Sequence, residues 1–391
     1  MRNAVSIRSC DPRSTDEQVR ETIFAAADEV GGIDQIFAGK RKVLIKPNIG
    51  TNDVRTIHGR QIALTDPSVL RATVQLIRRS FDGDIVIGEA TTGHRCQDIY
   101  DKVGHQLDDL GVRVVDLKDG PFAEIPLPTG LMFNRYTVSA ELASADVIVS
   151  VAKMKSHLST GATLCLKNLF GLTPTHRYGS PRNYLHAPVR LPRVLVDVNQ
   201  MFPPDLCVVD GLISQTGREW RGEPVETGLI MVGTNVVATD ATAMRLMGID
   251  PELDYGSFPY HFDRNPIVLA ESVGLGSPAT ADIDVRGNIE ASMRHQFTVD
   301  RAYTGEFDPI RHSLAIEVER YRSKRDELIR RHNGKFVAMI DGEVAAVADT
   351  VGGLGNRNEL LKKLGTSYGI LLKQVLPEEA EDERLDVYAT M

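Results

Sequence analysis

Ala145-Asp146-Val147-Ile148-Val149-Ser150-Val151, with Ala152-Lys153-Met154-Lys155-Ser156-His157 directly behind it, is the stretch that decides the fold. The near-continuous apolar run suits a strand buried on both faces, and such strands belong to parallel sheets covered by helices. Working outward, Lys42-Val43-Leu44-Ile45-Lys46 reads as a strand ending at Pro47. Pro67 to Arg79 reads as a helix with Pro67 in its first turn and Asp66 as its cap. Asp84 to Gly88 and Val112 to Leu117 read as strands, with a helix from Gln97 to Leu110 between them. Leu206 to Val209 and Leu229 to Val232 are further strands, followed by an Ala-rich helix from about Val236 to Met247. This β-α-β-α rhythm predicts an α/β fold: a mostly parallel, doubly wound sheet in two lobes, over residues 1–295.

The chain changes character after that. Phe307 to Arg331 is charged and free of glycine, with Leu314, Ile316, Val318, Tyr321 and Leu328 as apolar positions. It reads as an amphipathic connecting helix within a segment 296–333. Residues 334–391 read as a small α+β module. Two β-type runs, Lys335 to Ile340 and Glu343 to Val347, flank Asp341-Gly342, a hairpin signal. A helix near Asn358 to Leu364, a strand near Gly369 to Val375 and a solvated acidic tail, Pro377 to Arg384, complete it.

Composition sets bounds on function. The 391 residues carry a formal charge of −8, which disfavours a nucleic-acid binder because phosphate recognition needs a basic face. No run approaches the ~18 apolar residues of a membrane helix. Met1-Arg2-Asn3-Ala4 leads into no apolar segment, so the expectation is a cytoplasmic protein without a secretory signal. The four cysteines, Cys10, Cys96, Cys165 and Cys207, lie far apart in sequence and read as reduced, buried thiols. Aromatic residues are few, with Trp220 the single tryptophan, which argues against a stacking platform.

In open parallel sheets ligands bind beyond the carboxyl ends of the strands. Four such places carry chemistry. Lys46-Pro47-Asn48 can hold and orient an anion; the alternative is a surface lysine beside a turn. Gly88 to Arg95 includes His94 and Arg95, a proton carrier and a carboxylate clamp; the alternative is a polar loop. Lys153-Met154-Lys155-Ser156-His157 is the densest positive cluster in an acidic chain and would attract an anionic small molecule. Lys167-Asn168 puts one ammonium into an apolar stretch, where it must find an anion or lose its proton. His186 stands in the loop downstream, and read alone it is a satisfied loop histidine. Asp210 ends a strand with an ambiguous role, and Asp240 reads as a cap or packing device. No glycine fingerprint of the dinucleotide type, phosphate loop or nucleophile elbow is present.

Ile45-Lys46-Pro47-Asn48, Lys153 to His157, Leu166-Lys167-Asn168-Leu169-Phe170-Gly171, Val209-Asp210-Gly211 and the stretch from Ala238-Thr239-Asp240-Ala241 to Asp250 together resemble domain of unknown function 362, over about residues 40–285. Members often carry a ferredoxin-like module whose cysteines are missing here, so no iron–sulfur cluster is expected. Residues 334–376 resemble a second uncharacterised module, domain of unknown function 5678, with Gly334 through Ala346 as the signal. A more distant resemblance is to the nickel-dependent lactate racemase family, in the order Gly93-His94-Arg95, Ala145-Asp146, His157, Lys167, His186. That resemblance implies His94 and His157 as a proton-transfer pair, Lys167 as a cofactor anchor and His186 as a metal ligand.

The expectation from the sequence is therefore an enzyme that binds a small carboxylate- or phosphate-bearing metabolite. His94, His157, Lys155 and Lys167 are its catalytic candidates, and Lys46, Asn48, Arg95, Lys153, Asn168 and Asp210 its binding residues. The chemistry is acid–base, of the racemase or epimerase kind, with His186 holding a transition metal, nickel or iron, in the metal-assisted version. A non-catalytic anion- or metal-binding protein and a redox-associated protein are the alternatives, and self-association into a homo-oligomer is left open.

Overall fold

In the computed structural model the apolar runs of the sequence line up as one sheet. The structure describes residues 3–260, 263–289, 294–295, 297–300, 307–355 and 369–389. The long strands are β1 (Asn3–Ser9), β2 (Lys42–Pro47), β3 (Asp84–Glu89), β4 (Val112–Asp116), β5 (Val147–His157), β6 (Leu206–Thr216), β7 (Leu229–Gly233) and β8 (Ile283–Gly287). Their order across the sheet is β8-β1-β7-β6-β5-β2-β3-β4. β4, β3, β2, β5 and β6 are mutually parallel, and β7 alone runs against its neighbours β6 and β1. The sheet is mostly parallel, and a single sheet runs through both halves of the α/β region.

Strand periodicity explains the two core layers. Val43, Ile45, Val147, Val149 and Val151 belong to one layer with α1 (Asp16–Val30) and α2 (Pro67–Arg78). Leu44, Ile148, Ala152 and Met154 belong to the other with α5 (Arg190–Met201) and α6 (Val236–Leu246). Successive side chains of a strand point to opposite faces, so a strand buried on both must be apolar at nearly every position. Helices on both faces make the fold doubly wound.

Several local readings are corrected. The pattern reading assigns nothing before Lys42, yet β1 and α1 lie there; Thr15 and Gln18 form a reciprocal capping box at the start of α1. The helix expected over Gln97 to Leu110 is α3 (Cys96–Val103), stopped by Gly104 at φ +89°, with one 3₁₀ turn at Asp108–Leu110. β5 and β6 run well past their expected ends at Val151 and Val209, because the polar residues beyond them keep pairing. Cys10, Cys96, Cys165 and Cys207 are buried free thiols.

Beyond the sheet, α7 (Phe307–His332) buries Leu314, Val318, Tyr321 and Leu328, while Ile316 faces solvent. Next comes a three-stranded sheet: β9 (Phe336–Ile340), β10 (Glu343–Ala348) and β11 (Leu371–Gln374), with β9 central. Asp341 and Gly342 both take positive φ, +49° and +77°, as a tight hairpin turn demands. The helix expected near Asn358 to Leu364 lies outside the described residues. The acidic tail is solvated only in part: Glu378 and Glu379 are exposed, and the acids after them up to Glu383 are not. Glu383 is buried against Arg190 (2.7 Å) and Lys373 (3.4 Å), and Glu381 pairs with Lys373 and Arg325, both at 2.7 Å. A pattern reading counts the acids of that tail but not the buried cations waiting for them.

Candidate functional site

The sheet creates the site where its order reverses. From β2 the chain moves to β3 and β4 on one side, then returns to place β5 on the other. The carboxyl ends of β2 and β5 therefore diverge at a switch point, where open α/β sheets hold ligands. Lys46 and Asn48 sit at the end of β2, and Lys155 and His157 at the end of β5. They line a cavity of about 450 Å³ with Glu89, Lys167, Phe170, Arg182, His186, Glu219 and Trp220 among its walls.

β5 arrives there by simple alternation. Val147, Val149 and Val151 share one face of the strand, and Lys153, Lys155 and His157 continue that face. The three polar residues differ in depth. Lys153 is fully buried and paired at 3.0 Å with the equally buried Asp210, away from the cavity walls. Asp210 also accepts the Asp66 backbone N–H at 2.8 Å, next to the start of α2. The pair is a piece of the core, so neither residue is available to bind a ligand.

Lys155 lies on the cavity wall. It is 3 % exposed, and its Nζ donates to Asn48 Oδ1 (3.0 Å) and the Ala63 carbonyl (2.9 Å). Burial is the largest effect on it and, with Lys167 and Lys153 nearby, lowers its pKa to about 7, although Glu219 and Asp53 pull the other way. Two of its hydrogens are fixed by these bonds. Lys155 lines the cavity, and its remaining position, a third N–H when the amine is charged or a lone pair when it is neutral, has no hydrogen-bond partner among the described residues.

Lys46 does different work. Its Nζ donates to the Pro47 carbonyl (2.6 Å), to Asn168 Oδ1 (3.2 Å) and to Glu89, with which it forms a buried ion pair. Its three donors are all taken. Asn168 is equally engaged, donating to the Lys46 carbonyl (2.8 Å) and Ser150 Oγ (3.1 Å) and accepting from Asn48 Nδ2 (3.2 Å). Lys46, Asn48, Asn168 and Glu89 thus form the rigid floor that holds Lys155 in place. Gly171 closes over this floor: a Cβ there would come within 2.0 Å of Glu89 Oε1 and 2.5 Å of Lys46 Cε. Only glycine fits.

Lys167 is the unengaged cation. It lies on the short turn α4 (Cys165–Asn168), half-buried, 4.9 Å from the centre of the Phe170 ring, and has no hydrogen-bond partner among the described residues. Burial, aided by Arg182 and Lys46, lowers its pKa to about 8. Asp240 holds this turn, accepting the backbone N–H groups of Cys165 (2.9 Å) and Leu166 (2.8 Å). It is a capping residue, for a helix other than its own. Arg182 is buried beside Phe170, with its guanidinium on the Thr173 and Ala90 carbonyls.

His157 is buried, and burial with Lys167 holds its pKa well below the usual value, so the ring is neutral. Its Nδ1 accepts the Ser159 N–H at 3.1 Å, which leaves the proton on Nε2, 3.7 Å from Glu219 Oε1. His186 stands at the mouth, its ring 6.3 Å from that of His157 and 5.8 Å from that of Phe170. Among the described residues no three His, Cys, Asp or Glu side chains gather as a metal site, so the donors present do not fit a nickel or iron ion held by side chains alone.

The expected set is thus brought together in part. Lys46, Asn48, Lys155, His157, Lys167, Asn168 and His186 share the cavity. His94 and Arg95 do not line it. Both are exposed on the loop before α3, where the His94 carbonyl accepts from Lys118 and Thr91. Glu219 and Trp220 line the cavity without having been singled out as site residues. Their signal was Gly217 and Gly222 bracketing a short loop after a strand.

The model of the domain of unknown function 362 family matches residues 43–245, and the chain belongs to that family. A thylakoid-associated protein of Synechocystis sp. is 27 % identical over 232 residues, covering 57 % of this chain and 68 % of that protein. Among solved structures, a Thermotoga maritima protein matches at 15 % identity and TM-score 0.35, over 58 % of this chain and 57 % of that one. The lactate racemase apoprotein of Thermoanaerobacterium thermosaccharolyticum matches at 14 % identity and TM-score 0.35, over 54 % and 50 %. The chain spans about half the length of these two structures. No helix among the described residues is long and apolar enough to cross a membrane.

Proposed function

We propose that this member of the domain of unknown function 362 family is an enzyme that binds a small carboxylate or phosphate anion in the switch-point cavity and moves a proton with Lys155. The observation that carries the reading is the state of Lys155: a buried amine on the cavity wall with a pKa near 7 and two of its three positions held by protein acceptors. Four cationic side chains, Lys46, Lys155, Lys167 and Arg182, face two carboxylates, Glu89 and Glu219, so the cavity favours an anion. Lys167 meets the anionic head. Neutral Lys155 takes a proton from an acidic C–H of the ligand, and the His157 Nε2–H, backed by Glu219, steadies charge developing on oxygen.

Incubation with 2-hydroxy- and 2-oxo-carboxylates in D₂O tests this. The protein is expected to wash deuterium into C2 of the 2-hydroxy acids and into C3 of the 2-oxo acids, whose C2 carries no hydrogen, and Lys155→Met to abolish exchange while the anion still binds through Lys167. Binding without exchange in the parent protein across the panel would make it a carrier rather than a catalyst.

A pH dependence arises from the lowered pKa. An anion binds best to charged Lys155, whose folded-state pKa lies near 7. Carboxylate affinity is therefore full below about pH 6 and falls as pH rises through 7, by at least about tenfold at pH 9. Calorimetry at pH 6 and pH 9 checks it, and Lys155→Met should remove the step near pH 7 and leave only the later fall set by Lys167, whose pKa lies at about 8.

A further inference from the structure

We infer that the natural ligand has two parts: an anionic head for the lysine-lined floor, and a flat aromatic or heteroaromatic tail that stacks on Trp220 at the mouth. The inference rests on the anion-site reading above and extends it to the class of substrate.

Trp220 lines the cavity with 47 % of its surface exposed. A single exposed apolar side chain needs no explanation by itself. The loop that carries it does. The Gly217 N–H donates to the Thr298 carbonyl (2.9 Å) and the Gly217 carbonyl accepts from Asp300 N–H (2.6 Å). Arg218 pairs with Asp300, and its carbonyl accepts from Gln215 Nε2 at 2.7 Å. On the far side the Arg221 N–H donates to Asp53 (3.1 Å) and the Gly222 carbonyl accepts from Arg55 (3.2 Å). Arg221 holds φ +50°, a left-handed conformation that costs a non-glycine residue energy. Glu219, one residue before the indole, turns inward and takes the Leu158 N–H at 3.3 Å.

The chain thus fixes both flanks of Trp220 and leaves its large apolar side chain uncovered. An indole on a pinned loop gives a ligand contact area with little ordering left to lose, as preorganised recognition sites do. The rings of His186 and Phe170, 5.8 Å apart, line the same cavity. The cavity, at about 450 Å³, falls within the roughly 300–1,000 Å³ typical of sites for drug-sized ligands rather than for a bare small acid. The floor selects charge and the mouth selects a ring.

Calorimetric titration of the whole protein with matched pairs separates the two parts: lactate against 3-phenyllactate, and inorganic phosphate against phenyl phosphate. The ring is expected to tighten binding about tenfold in whichever pair binds. Trp220→Ala should erase that gain without weakening the bare anion, and Trp220→Phe should keep most of it. Circular dichroism confirms that the variants fold. If the bare anions bind and the ring adds nothing, or if Trp220→Ala keeps the gain, the tail is refuted while the anion site stands. If no probe binds the parent protein, the anion site fails and the inference fails with it.

Discussion

Replacing Asp210 with alanine is expected to lower the free energy of unfolding by about 3–5 kcal/mol, the usual cost of leaving one partner of a buried ion pair alone. Lys153 and Asp210 are both completely shielded from solvent, 3.0 Å apart, in the middle of the sheet. The change would strand the ammonium among valines and remove the acceptor of the Asp66 N–H at the start of α2. Urea denaturation measures the loss. Lys153→Met together with Asp210→Asn should regain most of it, because no uncompensated charge remains. A single Asp210→Ala loss below about 1 kcal/mol would show that water reaches the pair.

The second large effect is expected far along the chain. Glu383→Ala should cost a similar 3–5 kcal/mol and also weaken anion binding. Burial disfavours the Glu383 charge, but Arg190 and Lys373 outweigh it and hold the carboxyl below the usual carboxylate range. Its stabilising effect is therefore present at neutral pH and lost as pH falls below the ordinary carboxylate range. Arg190 also donates to the Tyr184 carbonyl (2.9 Å) and the Leu372 carbonyl (2.6 Å). Tyr184 and Arg190 flank His186, so Glu383 anchors the loop that forms one side of the cavity mouth. Arg177 adds a second tie, to Gln374 at 2.7 Å. Thermal unfolding and anion titration of Glu383→Ala and Glu383→Gln test both effects. A variant that unfolds earlier yet binds anions with unchanged affinity would show that the mouth does not depend on this anchor.

Elements governed by a local rule are legible in the sequence. The apolar run at Val147–Val151, Pro67 behind Asp66, and Asp341-Gly342 between two β-type runs each become the predicted element, because strand burial, helix capping and tight turns depend on neighbours in the chain. Lys155, His157 and Lys167 could be picked out as amine and imidazole groups beyond expected strand ends. Their division of labour could not. Lys153 and Lys155 are two residues apart in one motif, yet one is sealed against Asp210 and the other faces the cavity, a difference set by a strand 57 residues downstream. His94 satisfies the same local rule as His157 and ends in solvent, because its loop folds toward Lys118. The tail around Glu383 misleads for the converse reason, since its partner Arg190 is 193 residues away.

The alternation along β5 has a consequence for how such a protein can change over time. One ruler measures out the valines of the core and the amine of the site, with a spacing of roughly 6.6 Å from Lys153 to Lys155. Losing a single residue upstream in β5 would bring Ser156 to the cavity in place of Lys155, set Met154 against Asp210 in place of Lys153, and turn the valines out of their layer. Lineages that explore new reactions on this scaffold must therefore leave that strand untouched and vary the loops at the rim.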